Sequence, residues 1–578
     1  MNSMQRTTRL GVLGLCVGSA ALLSCSSTLA PPAHATSPSA ALPPPAATTT
    51  PAAKPSGPQK PTGWNAAEVL VAPSSFHGVH GLAIDKRDRL LAGTVVGGQI
   101  WEVDRTTGAA KVFIDGPDGE ADDIAIGPKG EMAWTGFTQG VVRYRENDAA
   151  PIRVLATGLP GANSIAFNQK TGKLYMSQVF MGDALWELDV AGKAAPRLIA
   201  KGLGGFNGFE VGPDGELYGP LWFKGQVVKI QPSNGKLTVI NSEFKTPAAA
   251  NLDGKGNLWV LDTKAGTLNK VTLADGKKTE VAKLATALDN LVIAPDGIIF
   301  ISNMADNSIQ SFDPATNTVK VLTSGKLAVP AGMKLDGDHL LIVDVFAFRS
   351  VDTKTGEVKD IHRVQDSKLE YPEALGLGSK QIALTASGGS VQLLDRATKE
   401  FVDEVKGFKS PTDALPLDDG SLLVLENATN SLVRASGDKH AERTTVVKDL
   451  EGPAQLILGK DGMVYLTEAS GGRLTKINLS DGSKSVVSQD LATPEGLVET
   501  PWGTFLVAET GKQRVVEIDP SNNGERRTVA DKLPIGLQSH RADIAPGYLA
   551  TAVAVSGDGT VFVSCDVDNS LMRIKPKT

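Results

Sequence analysis

Short apolar runs alternate with polar turns along almost the whole chain. In the stretch 206–240, Phe209 and Val211 precede a Pro-Asp-Gly turn, and Leu217 and Tyr218 follow it. Glycine adopts positive φ readily and proline presets the first residue of a turn, so this punctuation folds neighbouring strands back antiparallel. The pattern predicts a unit of four short strands in one twisted sheet, which is too small to bury both of its faces alone.

The first strand of this unit recurs at a spacing of about 40 residues, which is typical of β-propeller blades. The recurrences begin at Gly81, Asp123, Ser164, Gly208, Ala249, Asn290, Gly332, Ala374, Ala414, Gln455, Gly496 and Ala552. Twelve blades in a single ring would leave a wide and poorly packed hole. We therefore predict an all-β protein whose twelve four-stranded repeats form two tandem six-bladed β-propellers.

The two ends of the repeat region complete one another. Residues 68–72 have the pattern of a fourth strand without the first three, whereas the last repeat stops after its third strand near Lys575. An N-terminal strand that completes the last blade would close a propeller without an exposed edge.

This closure suggests how the repeats are divided. If the N-terminal strand belongs with repeats one to five, the first propeller comprises 64–287 with 548–578, and the second comprises 288–547. Extra residues around 533–547 are numerous enough to carry the chain back to the first propeller. The alternative, in which repeats one to six and seven to twelve form the two rings, stays open.

The N-terminal region is predicted to be a targeting segment and a tether. Residues 1–25 contain two arginines before an apolar run that is too short to span a membrane, as in a signal peptide. Leu22-Leu-Ser-Cys25 resembles a bacterial lipobox, in which Cys25 is lipidated; the alternative is ordinary secretion. Residues 26–63 are rich in Ala, Pro and Thr and predict a disordered tether. We expect a protein of the bacterial cell envelope, at the outer membrane or in the periplasm, that meets the membrane only through its lipid.

Composition and motifs exclude several functions. The net charge of −6 is mild and no basic cluster occurs, which argues against a nucleic-acid partner. The chain has no phosphate-binding glycine loop, nucleophile elbow, Cys-x-x-Cys pair or His-Glu-x-x-His motif. Once Cys25 is acylated and the leader removed, Cys565 is the single remaining thiol, and we expect it to be a small buried residue.

Polar residues recur at the position just before the innermost strand, which faces the central channel of a propeller. In four successive repeats this position holds His80, Asp122, Asn163 and Asn207. Asp and Asn oxygens that converge on an axis suit Ca²⁺, which takes six to eight oxygen ligands. The alternative is a water-filled channel lined by polar side chains.

A second set of candidates consists of carboxylates assigned to the same position in later repeats. Its members are Asp289, Glu373, Asp413 and Glu495. Four carboxylates at one channel mouth would repel each other unless a cation lies between them or some are protonated.

Three of these strands resemble known families. The run Asn207-Gly-Phe-Glu-Val-Gly-Pro-Asp-Gly resembles the Asn-Gly strand of the gluconolactonase and senescence-marker-protein family, and Ala162-Asn163-Ser-Ile-Ala-Phe is similar to the neighbouring strand of that family. Asp289-Asn290-Leu-Val-Ile resembles the Asp-Asn strand of paraoxonases. These resemblances imply a catalytic divalent cation on the axis of a six-bladed propeller and the hydrolysis of lactones. Carried over by position, they imply Asp122, Asn163, Asn207 and Asp289 as ligands of Ca²⁺.

Two blades depart from the pattern of the gluconolactonase family. His80 stands where that family has its acidic ligand, and Ala248 stands where it has an aspartate. The Pro-Asp-Gly repeats also resemble those of streptogramin lyases, although the paired histidines around a glutamate that mark those enzymes do not occur here.

Two classes of function follow. One is a Ca²⁺-dependent lactonase or esterase-like hydrolase, in which His80 or Asp122 would activate water. The other is a non-catalytic propeller scaffold that binds a protein, a glycan or a small ligand. The fold alone does not decide between them, because propellers serve both purposes.

Overall fold

The computed structural model describes residues 59–386, 388–538 and 550–577. Within these ranges the chain forms twelve four-stranded antiparallel sheets, so the predicted all-β fold of tandem propeller blades is confirmed. The helices in the same ranges are three short 3-10 turns, Asp438–His440, Thr510–Lys512 and Pro520–Asn522. None of the described helices is long and apolar enough to cross a membrane. The predicted signal peptide, Cys25 and most of the predicted tether lie outside the described residues.

The N-terminal strand β1 spans Glu68–Val71, and six blades follow it. Blade 1 contains β2 (Val79–Ile84), β3 (Leu90–Thr94), β4 (Ile100–Val103) and β5 (Ala110–Ile114). Blade 2 contains β6 (Ile124–Ile126), β7 (Met132–Gly136), β8 (Val141–Arg145) and β9 (Arg153–Ala156). Blade 3 contains β10 (Ala162–Phe167), β11 (Leu174–Gln178), β12 (Ala184–Leu188) and β13 (Arg197–Lys201). Blade 4 contains β14 (Glu210–Val211), β15 (Leu217–Leu221), β16 (Gln226–Ile230) and β17 (Leu237–Asn241). Blade 5 contains β18 (Pro247–Leu252), β19 (Asn257–Asp262), β20 (Thr267–Thr272) and β21 (Lys278–Lys283). Blade 6 contains β22 (Leu288–Ile293), β23 (Ile299–Asn303), β24 (Ser308–Asp313) and β25 (Thr318–Thr323).

Six further blades follow in the same manner. Blade 7 contains β26 (Met333–Asp336), β27 (His339–Asp344), β28 (Ala347–Asp352) and β29 (Val358–Arg363). Blade 8 contains β30 (Pro372–Leu377), β31 (Gln381–Ala386), β32 (Ser390–Asp395) and β33 (Phe401–Lys406). Blade 9 contains β34 (Pro411–Pro416), β35 (Leu422–Glu426), β36 (Ser431–Ser436) and β37 (Glu442–Val447). Blade 10 contains β38 (Pro453–Leu458), β39 (Val464–Glu468), β40 (Arg473–Ile477) and β41 (Lys484–Ser488). Blade 11 contains β42 (Pro494–Glu499), β43 (Phe505–Glu509), β44 (Arg514–Asp519) and β45 (Glu525–Ala530). Blade 12 contains β46 (Val553–Val555), β47 (Val561–Cys565) and β48 (Ser570–Ile574).

The N-terminal strand completes blade 12, as the sequence predicted. Strand β1 pairs antiparallel with β48, and Glu68 lies opposite Arg573 in the register. Trp64 forms a further bridge with Pro576, which extends the closure by several residues. Cys565, at the end of β47, is fully buried, as expected for a small core residue.

The blades pack in two closed cycles of six. Strand β2 of blade 1 lies against β22 and β23 of blade 6, and β26 of blade 7 lies against β46 of blade 12. The same pairs of blades share apolar cores: Leu82 belongs to one cluster with Phe300, and Ile342 belongs to another with Phe562. We call blades 1–6 the first ring and blades 7–12, with β1, the second ring.

The predicted division of the chain, 64–287 with 548–578 against 288–547, is therefore wrong, and the alternative division is the one observed. The chain starts in the second ring with β1, builds the whole first ring as β2–β25, and then completes the second ring as β26–β48. The prediction failed because a terminal strand shows which sheet it completes, and this does not determine which other blades share the ring.

Neighbouring blades are joined near the axis by side chains that accept a hydrogen bond from a backbone N–H group of the next blade. The Asp123 carboxylate accepts Ile165 N–H with an N–O distance of 3.0 Å. In the next blade the Ser164 hydroxyl accepts Gly208 N–H at 2.6 Å. Buried polar groups need such partners, so these contacts fix each inner strand to its neighbour.

Candidate functional site

A cavity of about 380 Å³ lies at the channel mouth of the first ring and is lined by residues of both rings. Its volume falls within the range of about 300–1,000 Å³ that is usual for small-molecule sites. All five residues predicted to have a catalytic or calcium-binding role are on its wall: His80, Asp122, Asn163, Asn207 and Asp289. Cys25, the predicted lipidation site, lies outside the described residues.

The blade fold explains why these side chains meet. Each of them comes directly before, or at the start of, the innermost strand of its blade, and this strand begins at the same end of the ring in every repeat. The second strand runs antiparallel to the first, so its last residue lies beside the first residue of the inner strand. Ala162 thus pairs with Gln178, and Leu288 pairs with Asn303. Blades 1–4 and blade 6 each contribute residues from one strand start and one strand end to the cavity, whereas blade 5, which has Ala248 at the first of these positions, is not part of its lining.

His80 and Asp289 form an ion pair on the cavity wall. The distance between His80 Nδ1 and Asp289 Oδ2 is 3.2 Å. Burial disfavours the charged imidazole, but the negative charges of Asp289, Asp122 and Glu120 outweigh this and raise the pKa of His80 above its ordinary value. The pair can therefore hold a proton at His80 or release it towards a bound molecule.

Asp122 lies on the same wall in a strongly perturbed environment. Burial, followed by the like charges of Asp289, Asp123 and Glu120, raises the pKa of the Asp122 carboxyl well above its ordinary value, although His80 opposes the shift. Carboxyl groups that are perturbed in this way within a cavity are common at catalytic sites, because they can act as proton donors or acceptors near neutral pH.

The two asparagines converge on a single hydroxyl group. Ser164 Oγ lies 2.9 Å from Asn163 Oδ1 and 2.9 Å from Asn207 Oδ1. Asn207 Oδ1 also accepts Gly208 N–H at 2.9 Å. The hydroxyl has only one proton, so it can donate to one of the two amide oxygens at a time.

A second layer of polar residues follows the cavity residues by one position along the inner strands. Asp123 Oδ1 accepts Asn290 Nδ2–H at 3.0 Å, which links blade 2 to blade 6. Blade 1 lies between them and has Gly81 at the matching position, where a Cβ atom would come within 2.5 Å of the Asp122 carbonyl oxygen. Burial raises the pKa of Asp123 to about 7, although its hydrogen bonds oppose the shift. Asp123 and Asn290 are thus structural neighbours of the cavity residues Asp122 and Asp289.

The sequence analysis missed the aromatic part of the wall. Phe137, Phe180 and Trp222 follow the second strands of blades 2, 3 and 4, and all three line the cavity. The ring centroids of Phe137 and Phe180 are 6.2 Å apart, and those of Phe180 and Trp222 are 5.3 Å apart. The sequence does contain a signal for these residues, since an aromatic residue occurs just after the second strand in three successive repeats.

The second ring covers part of the same cavity. Phe346, Gln365, Tyr371 and Glu373 belong to blades 7 and 8 and the loop between them, and all of them line it. The Phe346 ring centroid lies 6.1 Å from that of His80 and 6.2 Å from that of Tyr371. Burial and the charge of Asp289 raise the pKa of Tyr371 to about 12, so its hydroxyl stays protonated.

Hydrogen bonds hold this part of the second ring against the first ring. Arg363 donates to the Thr286 carbonyl oxygen with an N–O distance of 3.1 Å. The Thr286 hydroxyl donates to Asp366 Oδ2 at 2.8 Å. Both contacts lie next to the covering residues in sequence, so they position these residues over the channel.

The predicted set of four carboxylates does not form one site. Asp289 and Glu373 line the first-ring cavity, whereas Asp413 accepts the backbone N–H groups of Ala414 and Leu456 inside the second ring. Glu495 Oε2 accepts Thr551 N–H at 2.8 Å. The four carboxylates are therefore divided between two places: Asp289 and Glu373, the latter from blade 8, face the first-ring cavity, whereas Asp413 and Glu495 bind backbone amides inside the second ring.

The donor atoms of the wall suit a hard cation. Asp122, Asn163 and Asn207 contribute carboxylate and amide oxygens to one cavity, and Ca²⁺ prefers such ligands. Within the described part of the chain, no three or more His, Cys, Asp or Glu side chains are grouped so as to hold a metal ion. A cation here would therefore depend on the asparagine oxygens as well as on the acids.

No family model and no curated protein match the chain. Solved structures that are similar to it include virginiamycin B lyase from Staphylococcus aureus, with 17% identity and a TM-score of 0.24 over 57% of this chain and 94% of that chain. A second is the GH74 xyloglucanase from Xanthomonas campestris, with 12% identity and a TM-score of 0.45 over 89% of this chain and 100% of that chain. A third is the extracellular domain of a hybrid two-component system from B. thetaiotaomicron, with 10% identity and a TM-score of 0.33 over 89% of this chain and 83% of that chain. These are β-propeller proteins, and the likeness concerns the fold alone.

Proposed function

We propose that the first-ring cavity is the active site of a lactone or ester hydrolase related in chemistry to the gluconolactonase family. The observation that supports this is the His80–Asp289 pair, which shares a cavity with Asp122, Asn163 and Asn207. Hydrolysis of an ester requires a base that removes a proton from water and groups that stabilise the developing oxyanion.

His80 is the proposed base. Its Nδ1 faces Asp289, which would orient the imidazole and stabilise the imidazolium that forms when the ring accepts a proton from water. The imidazolium formed in this way can then donate its proton to the leaving oxygen, so the same ring acts first as the base and then as the acid. Because His80 has to be neutral to act as a base, turnover should rise as the pH passes its raised pKa.

We further propose that Asp122, Asn163 and Asn207 hold a divalent cation, with Ca²⁺ preferred over Mg²⁺. Their oxygens are numerous enough for a flexible site and do not form a tight octahedron. Such a cation would polarise the carbonyl group of the substrate. Binding should raise the melting temperature of the protein, and Asn207→Ala should abolish that increase. The variant should also melt at a lower temperature than the wild type without metal, because the buried Asn207 amide oxygen accepts Gly208 N–H and lies 2.9 Å from Ser164 Oγ.

The test is hydrolysis of a panel of lactones and esters by the wild type and by His80→Gln, with and without chelator. The matched control is His362→Gln, because His362 bonds the Lys399 carbonyl oxygen away from the cavity. We expect His80→Gln to lower kcat by about 100- to 10,000-fold, as for other general bases, and the control to have no effect. Equal turnover by wild type and His80→Gln would refute the proposed role of the pair.

A second candidate function is ligand binding without catalysis. The aromatic side chains on the cavity wall favour it, because they offer binding surface and no reactive group. Saturable binding of a small molecule by a protein that hydrolyses no member of the panel would support this function over the first.

We also propose that the protein is anchored to the bacterial envelope through a lipid on Cys25. The lipobox-like Leu22-Leu-Ser-Cys25 supports this. Metabolic labelling with a tagged fatty acid should mark the wild type and leave Cys25→Ala unmarked. An unlabelled wild-type protein would show that the segment directs ordinary secretion.

A further inference from the structure

We propose that the first-ring cavity recognises an organic ammonium cation, which it holds between aromatic faces and carboxylates. The proposal goes beyond hydrolysis, since it concerns what the cavity binds and is independent of whether the bound molecule is turned over. It rests on three features of the wall: aromatic rings in two groups, an excess of acidic side chains, and access from solvent.

The aromatic rings come from both rings of blades. Phe137, Phe180 and Trp222 form one group of contacting rings in the lining, and Phe346 and Tyr371 form a second. Within the groups, Phe180 and Trp222 meet at an interplanar angle of 78°, and Phe346 and Tyr371 at 74°. Aromatic rings that line a cavity offer binding surface to a cation, because a π-face attracts a cation through its quadrupole.

The charges on the wall favour the same kind of ligand. Asp122, Asp289 and Glu373 line the cavity, and its described lining contains neither lysine nor arginine. His80 is the one base among these lining residues and is already paired with Asp289. A cation that enters the cavity favours the ionised form of these acids and is attracted to it, whereas an anionic ligand finds no lysine or arginine in this lining to pair with.

Aromatic walls further distinguish an organic cation from an inorganic one. A small inorganic ion is strongly hydrated and gains little from giving up water to a phenyl face, whereas alkylammonium groups recognised by aromatic cages carry apolar substituents that pack against the rings. Phe180 is 48% exposed, so a ligand can reach the lining rings from solvent.

The experiment is titration calorimetry of the full-length protein with choline and with its neutral isostere 3,3-dimethylbutan-1-ol, which has the same shape without the charge. Both titrations are carried out with chelator and again with excess calcium. We expect saturable binding of choline in at least one condition, and binding of the neutral isostere that is weaker by at least about tenfold.

Variants locate the site. Phe180→Ala and Glu373→Gln should each weaken choline binding by about tenfold, whereas Val402→Ala should not, because Val402 is 53% exposed in the outer strand of blade 8 and lies outside the cavity lining. Melting curves check that all three variants are folded. The proposal is overturned if choline binds in neither condition, if the isostere binds as tightly, or if Phe180→Ala and Glu373→Gln bind like the wild type. Lactone turnover is measured separately in the same preparations, so failure of this proposal and failure of the proposed hydrolysis are distinguishable.

Discussion

The two rings are built from the same blade but use acidic side chains near the axis in different ways. In the first ring Asp122 and Asp289 border a cavity and face other side chains. In the second ring Glu495 is 2% exposed, and its carboxyl group accepts hydrogen bonds from the Thr551 amide and the Thr510 hydroxyl. Asp566 of the second ring likewise accepts two backbone amides, those of Gly536 and Leu537.

The partners of a buried carboxyl therefore indicate its purpose better than its pKa does. Burial, together with Asp566, raises the pKa of Glu495 to about 8, and burial raises the pKa of Asp566 to about 6. These shifts are large, yet both groups hold backbone amides and so maintain the fold. In the part of the chain that the structure describes, the first ring combines perturbed acids with an accessible cavity, and this combination makes it the candidate site.

The largest expected effect concerns the closure of the second ring. Deleting residues 64–71 should unfold the second ring and leave the first ring folded, because β1 pairs with β48 whereas the first ring is one continuous segment. The deletion removes the buried side chain of Val71, which contributes roughly 1.5–3 kcal/mol, in addition to Trp64. Calorimetry should show that the transition of the second ring is lost or moved to lower temperature.

The control for the deletion is a pair of point variants in the same strand. Val71 is 2% exposed and Val69 is 51% exposed, so Val71→Ala should lower stability and Val69→Ala should not. If the deletion moved the transition of the first ring instead, the assignment of β1 to the second ring would be wrong.

The next effect is the pH dependence that a buried structural carboxyl gives to stability. The pKa of Glu495 is raised from 4.5 to about 8 in the folded protein, so its contribution to stability is fully present below pH 4.5 and is lost as the pH rises to 8. Relative to Glu495→Gln, the wild type should lose on the order of a few kcal/mol of unfolding free energy over this window. Denaturant titrations at several pH values measure the difference.

The matched control is Glu357→Gln, since the side chain of Glu357 is 61% exposed. Its stability relative to the wild type should change little with pH. A pH-independent difference for Glu495→Gln would show that the carboxyl is not protonated in the folded state.

Much of the fold was predictable because the turns mark the repeats. The Pro-Asp-Gly turns determine the register of the inner strands, and this gave the twelve blades and the channel positions of the first ring, including His80 and Asn207. In blade 9 the alignment slipped by one residue. Leu417 is the first residue of the turn there, because its N–H donates to the Ser421 carbonyl oxygen. As an apolar residue, however, it resembles the end of the strand in the sequence pattern. Asp413 was consequently assigned to the channel position, although it corresponds to Asp123.

The covering of the cavity was not predictable from the repeat. Phe346 reaches His80, and Tyr371 reaches Phe346, only because the second ring packs on the first. A period of one blade contains no information about contacts between rings. The division of blades between rings was missed for the same reason.

A smaller effect tests the amide-binding role of Asp123 and Asp413. Each carboxylate accepts two backbone amides, one from its own blade and one from the next. An asparagine has one acceptor oxygen, so Asp123→Asn and Asp413→Asn should each turn an NH₂ group towards a buried N–H. We expect each to cost about 1–3 kcal/mol of unfolding free energy in denaturant titrations. A loss at one position only would show that the two residues are not equivalent.

The smallest effect on stability is expected at Asp122, one residue before Asp123. Asp122 lines the cavity, and burial raises its pKa in the folded protein, so ionisation makes the wild type less stable as the pH rises. Asp122→Asn should therefore leave the unfolding free energy within about 0.5 kcal/mol at acidic pH and should not lower it at alkaline pH. The same variant should lose hydrolysis and the increase in melting temperature with calcium. Asp123→Asn should have the opposite effects. It should lower stability but retain hydrolysis and calcium binding when it is assayed well below its melting temperature. If the two neighbouring variants lost stability equally, Asp122 would be part of the structural layer, and the contrast between the two rings would not hold.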